Sequence, residues 1–199
     1  MGFGGMFQRM DLHEWMISDL ASARSKLFES VIRLVPAARW HEQVDGGGST
    51  IAGLLLHVAR HQDLAVNTVI RNHDPLFAKH APALGLFNAG AGAALPEKED
   101  LAATSRVATD ALLAYVTAVF DGTQQWLADL GTLALDIEPH TDYRLTNKAG
   151  LTEAEFPWLY SMWAGKALWW FVQWPVIGHA HAHVGEAISI RNRMGLSPF

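Results

Sequence analysis

Apolar residues recur at helical spacing along four stretches of this chain, separated by segments rich in glycine and proline. Over residues 11–35, Leu12, Trp15, Met16, Leu20, Leu27, Val31 and Leu34 keep a period of three to four and Pro36 follows, which predicts a first helix. The run Gly46-Gly47-Gly48-Ser49 reads as a loop, and Ser49 or Thr50 is the N-cap of a second helix reaching about residue 71. Residues 72–96 are rich in Gly, Pro and Ala, with apolar spots at Leu76, Phe77, Leu84, Leu86 and Phe87; they predict a long packed crossover loop. A third helix is expected over 97–130, where Glu97, Glu99 and Asp100 favour the positive end of the helix dipole and Gly131 stops it. Residues 131–157 predict an irregular insertion or hairpin with short β-prone pieces at 133–137 and 143–146. The fourth helix is expected over 158–194, kinked near Pro175 and ended by Gly195. Four long helices joined by two long connections predict an all-α four-helix bundle, as one domain over residues 1–199, with the insertion between helices three and four.

Composition narrows the class. Half of the 199 residues are apolar and 18% are charged, which fits a chain with a real core. A net charge of −5 without a basic run argues against nucleic acid as the main partner. The chain has no cysteine, so disulfides, thiolate metal sites and a cysteine nucleophile are excluded. The first ten residues lack the apolar centre of a signal peptide, which gives a cytoplasmic expectation. The apolar stretch 167–177 is too short to span a membrane and is interrupted by Gln173 and Pro175.

The histidines carry the candidate chemistry. His179 and His183 lie about 40° apart on one helical face, one turn above each other, so two imidazoles can reach one metal ion. His57 and His61 share the apolar side of helix two with Leu54, Leu64 and Ala65, and either can supply a third ligand. Arg60, Asp63 and Asn67 fall on the other side of that helix. Neutral imidazoles buried without partners are costly, which favours a metal or a hydrogen-bond network around them. A three-histidine site leaves coordination positions open, as catalytic rather than structural sites do, and imidazole ligands suit zinc, nickel or iron.

Glu186, a turn beyond His183, reads as a partner orienting a ligand imidazole, a fourth ligand or a general base, or else as a surface carboxylate facing Arg191 or Arg193. His61 is a candidate proton shuttle. His181 points roughly away from the His179–His183 face. Trp163, Trp170 and Trp174 form a second stripe that would pack on the insertion, line a pocket or meet a second copy of the chain. A di-iron carboxylate site needs Glu-x-x-His pairs, and the chain has none.

With a histidine in the middle of helix two (Ser49-Thr50-Ile51-Ala52-Gly53-Leu54-Leu55-Leu56-His57-Val58-Ala59) and a C-terminal His179-x3-His183-x-Gly185-Glu186, the chain resembles the DinB/YfiT-like superfamily of metalloenzymes, the damage-inducible four-helix family. The ending Arg191-Asn192-Arg193-Met194-Gly195-Leu196-Ser197-Pro198-Phe199 is similar to actinobacterial members. The resemblance runs from about residue 10 to 195. It implies an up-down-down-up bundle, often a homodimer, with a divalent metal on His57, His179 and His183. Many members carry an arginine where this chain has Val184. It also implies a small-molecule substrate, with a low-molecular-weight thiol such as mycothiol or bacillithiol as cofactor, in S-transfer, isomerisation or hydrolysis.

Overall fold

Residues 10–131 and 134–199 are described by a computed structural model, and every regular element among them is helical. The first helix, α1 (Leu12–Leu27), starts on an Asp11–Glu14 capping box and runs on through a wide-turn segment, Phe28–Ile32. The second, α2 (Ile51–Asp63), is capped by the Thr50 hydroxyl on the Gly53 amide and also continues as wide turns, Leu64–Ile70. These two match the sequence pattern closely.

The crossover is more ordered than its composition suggests. It contains α3 (Phe77–Leu84), ended by Gly85 in the left-handed conformation at φ 74°, and then tight turns in which Ala91, Ala93 and Ala94 are buried. The expected third helix is two: α4 (Glu97–Thr104) and α5 (Thr109–Asp129). Between them Val107 drops into the core and its carbonyl bonds the His41 ring, which breaks the rod.

The insertion is not a hairpin. Residues 143–146 lie in α6 (Thr141–Ala149), where Thr141 and Leu145 face inward one turn apart and Tyr143 faces solvent, so a short alternation was half of a helical period. Of the piece 133–137, Leu133 lies outside the described residues. The carbonyls of Leu135 and Ile137 accept from the Trp169 and Leu168 amides, so this piece caps a helix start instead of pairing as a strand.

The expected fourth helix is also divided. α7 (Pro157–Trp163) stops before Gly165, which takes φ 68°, and the chain restarts as α8 (Leu168–Phe171), a wide-turn segment Val172–Gly178 and α9 (His179–Arg193). Trp163 is therefore not on one stripe with Trp170 and Trp174. It is fully buried, edge-on to Phe171 at 5.4 Å, while Trp174 is partly exposed and edge-on to His179 at 5.9 Å. Pro175 sits inside the wide turns, where its missing N–H is tolerated. A Cβ on Gly178 would stand 2.8 Å from the Gln173 carbonyl, so this approach to His179 admits only glycine.

Four rods form a closed circuit of contacts: α1 packs on α5 and α9, and α2 packs on the same two. The side chains between them make one hydrophobic cluster that also takes in α3, α6 and α7. α9 is pinned to α1 by His181 to Asp19 at 3.0 Å, which gives His181 a packing role, and to the Phe28–Ile32 segment that continues α1 by Arg191 to the Ser30 carbonyl at 2.5 Å. No helix among the described residues is long and apolar enough to cross a membrane.

The second face of α2 departs most from expectation. Arg60, Asp63 and Asn67 are buried, because α3 and the turns after it fold over them. Asp63, with no exposed surface, accepts four hydrogen bonds: from the amides of Leu76 and Phe77, the Asn67 side chain and the Tyr115 hydroxyl, all at 2.8–2.9 Å. One carboxylate thus fixes the start of α3 against both α2 and α5. Asp63→Ala leaves these donors unmatched, so it should lower unfolding free energy by about 3–5 kcal/mol in urea titration. A loss below about 1 kcal/mol would contradict this role for Asp63.

Candidate metal centre

Helix α2 brings His57 and His61 to one face a turn apart, and α9 brings His179 and His183 to the facing side. The rings meet. Centroids are 4.5 Å apart for His57–His61, 4.8 Å for His57–His179, 4.4 Å for His61–His179, 4.7 Å for His57–His183 and 4.5 Å for His179–His183. One nitrogen from each of His57, His61 and His179 lies within 4.8 Å of the other two, so these three can hold a metal ion.

Hydrogen bonds outside the cluster decide which nitrogen each ring turns inward. His57 Nδ1 lies 2.9 Å from the Gly92 carbonyl and His61 Nε2 lies 3.1 Å from the Ala93 carbonyl. A carbonyl only accepts, so His57 carries its proton on Nδ1 and His61 on Nε2, leaving one lone pair on each ring for the cluster. His183 Nδ1 lies 3.0 Å from the Glu186 carboxylate, which leaves its Nε2 free in the same way. Second partners of this kind orient metal-ligating imidazoles and raise their basicity.

The residues fit a cation. His57 Nε2 and His179 Nε2 are 3.0 Å apart; two tetrahedral ligands on zinc would stand about 3.3 Å apart, which requires only a small opening. Without an ion, His179 donates from Nε2 to the His57 Nε2 lone pair, the pair of nitrogens that a cation would otherwise separate. All donors are neutral imidazoles, a set suited to zinc, nickel or iron.

Burial keeps the imidazoles unprotonated. It lowers the His57 pKa to about 4, with the neighbouring His183 adding to the effect. It lowers His179 to about 2, helped by His57 and His183, and carries His61 well below its ordinary value. Trp163, with no exposed surface, stands edge-on to His61 at 5.8 Å and closes the inner side of the cluster, while Trp158 stacks near His61 at 6.5 Å on the cleft side.

The other side opens into a cleft of about 260 Å³. His57 and His183 reach it, Leu54, Leu101 and Trp158 give it apolar walls, and Glu97 and Asp100 bring carboxylates. The four expected histidines are thus brought together, with His61 deep and His183 at the cleft. Glu186 sits beside His183 and neither arginine, since Arg193 pairs with Asp45 and Arg191 bonds Ser30 and Asn192. The carbonyls of Gly92 and Ala93 were not foreseen. Their sequence signal is the run of small residues 89–94, which lets main chain approach a helix closely. Gly92, at φ 70°, lies so near α2 that an added Cβ would stand 2.6 Å from Leu56 Cγ.

No family model matches the chain, and no curated protein matches it. Among solved structures, it is similar to the crystal structure of a conserved protein from Enterococcus faecalis, with a TM-score of 0.68 over 94% of this chain and 99% of that one. The two are 18% identical, so the likeness shows a shared all-helical fold.

Two outcomes follow from the carbonyl supports and from the depressed pKa values. Gly92→Ala pushes the supporting main chain off α2, and metal affinity measured by competition with a chromophoric chelator should fall about 10–100-fold; unchanged affinity would separate the carbonyls from the site. In metal-free protein the folded His57 pKa of about 4 lies below its ordinary 6.5. The unfolded chain therefore takes up the proton first, and stability is complete above the upper value and declines as pH falls toward the lower. Chemical denaturation across that interval should show the decline in the wild type and a shallower one in His57→Gln.

Proposed function

We propose that this protein is a divalent-metal enzyme with the up-down-down-up bundle of the DinB/YfiT-like superfamily, acting on a small molecule in the cleft beside His57 and His183. The observation that carries the reading is the convergence of inward-facing nitrogens from His57, His61 and His179, two of them oriented by main-chain carbonyls. The sequence resemblance in the two histidine segments supports the same family.

The histidines divide by depth. His57, His61 and His179 hold the cation, and His183 faces it from the cleft. This exchanges the parts expected for His61 and His183, and what supports the exchange is burial: His61 is enclosed, while His183 lines the cleft with Glu186 behind it. A bound cation supplies Lewis acidity toward a substrate oxygen or a low-molecular-weight thiol. His183 accepts a proton at Nε2, and Glu186 stabilises the resulting imidazolium through the bond at Nδ1. Leu54, Leu101 and Trp158 exclude water from one flank of the substrate. S-transfer, isomerisation and hydrolysis all use this combination. The partly exposed Trp169 and Trp174 are the candidate contact of a homodimer.

A second reading has one observation behind it. The His183 ring touches both His57 and His179, and a closed shell of four imidazoles would suit a binder without turnover. Elemental analysis of tag-free protein separates the two. About one metal per chain is expected in the wild type, with loss in His57→Ala, His61→Ala and His179→Ala and retention in His183→Ala. Screening thiols with electrophilic acceptors should then show turnover in the wild type and its loss in His183→Ala. Metal loss in His183→Ala would favour the closed shell, and equal, near-zero metal in all five proteins would contradict both.

A further inference from the structure

One face of α4 forms a wall of the cleft, because Glu97, Asp100, Leu101 and Thr104 fall on the same side of that helix and all four line it. We propose that this wall sets the ligand class of the cleft: a small molecule that carries a cationic amine and seats it on Asp100. The assignment rests on the cleft being the substrate site.

Asp100 is half-buried, and its two oxygens differ. Oδ1 accepts the Gly92 amide at 2.6 Å, which fixes the carboxylate against the turns that cover α2. Oδ2 accepts no hydrogen bond among the described residues and is not enclosed. Among the described residues no lysine or arginine lines the cleft, and none forms an ion pair with Asp100 or Glu97. Arg60 reaches Asp100 across the Ala91–Gly92 peptide, whose carbonyl takes Arg60 Nε at 3.1 Å while its amide goes to Asp100. Burial outweighs that help and pushes the Asp100 pKa up. An ammonium on Oδ2 supplies both a hydrogen bond and the opposite charge that this carboxylate lacks.

Two further features point the same way. Trp158 lines the cleft with its ring 42% exposed, and its Nε1 donates to the Ala94 carbonyl at 3.3 Å, which holds the indole in place; an indole face attracts cations. Glu97, exposed on the same wall, draws cations toward the cleft and opposes anions. Gly92 then relates the amine seat to the histidines, since it gives its amide to Asp100 and its carbonyl to His57 at 2.9 Å. The seat lies one residue's width from the cation site. A fitting ligand therefore presents a donor atom to the metal at one end and an ammonium to Asp100 at the other, with an apolar body against Leu54 and Leu101.

Isothermal calorimetry at neutral pH on the full chain, stripped of metal with a chelator so that no probe binds through a metal ion, tests this with benzylamine, benzyl alcohol and benzoate. These carry one ring with a cationic, a neutral or an anionic group. Benzylamine should bind saturably at one site, and the other two at least about tenfold more weakly, since one charge-assisted hydrogen bond accounts for a factor of that size. Asp100→Asn keeps an acceptor for the Gly92 amide but loses the charge, and should bring benzylamine down to the level of benzyl alcohol. Leu101→Trp, which fills the cleft from the same wall, should abolish binding; if it does not fold by circular dichroism, Glu97→Gln at its exposed position replaces it and should weaken benzylamine severalfold. Equal binding of benzyl alcohol or benzoate, no benzylamine binding, or indifference to these variants would overturn the proposal. Metal content measured before chelation keeps it apart from the enzyme reading: near-zero metal with selective amine binding supports the amine seat and counts against the metal centre, and one metal per chain without amine selectivity does the reverse.

Discussion

The site depends on a main-chain strap, residues 89–93, held against the polar side of α2. Three side chains of that helix reach it: Arg60 takes the Ala89 and Ala91 carbonyls, His57 takes Gly92 and His61 takes Ala93. From the other side Asp100 accepts the Gly92 amide at 2.6 Å. Each bond satisfies a buried polar group, and two of them also settle which nitrogen an imidazole presents. Fold and candidate chemistry therefore share the same interactions: what closes the crossover over α2 also sets the histidines. Asp63, one turn from Arg60, anchors the start of that crossover through the Leu76 and Phe77 amides.

The facing helix meets a different constraint. His179 follows directly on the wide turns around Pro175, and Gln62 of α2 donates to the Val176 carbonyl within them. A wide turn changes the angular position of every residue after it, so the face on which His179 and His183 emerge is fixed by Pro175, by the bare Gly178 and by this bond. The ties of His181 to α1 and of Arg191 to the Phe28–Ile32 segment hold the remainder of α9.

Much of this was legible in the sequence. The rods of α1 and α2 and the convergence of histidines from two helices follow from period and spacing, and the capping residues Ser49 and Thr50 bracket the start of α2, which falls at Thr50. What was not legible has physical causes. Arg60, Asp63 and Asn67 read as an outward face because periodicity cannot distinguish water from a covering segment whose carbonyls and amides satisfy the same groups. The helix at 141–149 was hidden by a window too short to separate alternation from a single turn. The breaks at Val107 and Gly165 come from tertiary packing and one positive φ, neither of which disturbs the apolar count. The sequence resemblance names His57, His179 and His183 as ligands, while helical spacing alone had left His57 and His61 both open as the third; the Ala93 carbonyl, which turns the His61 ring toward the cluster, has no counterpart in that spacing.

The central claim is that imidazoles from α2 and α9 share one cation, and X-ray absorption at the edge of the metal co-purifying with tag-free protein tests it most directly. The account predicts a first shell with three imidazole nitrogens at about 2.0–2.1 Å, with the outer-ring scattering that imidazoles give. A shell of oxygen atoms without imidazole scattering would contradict it.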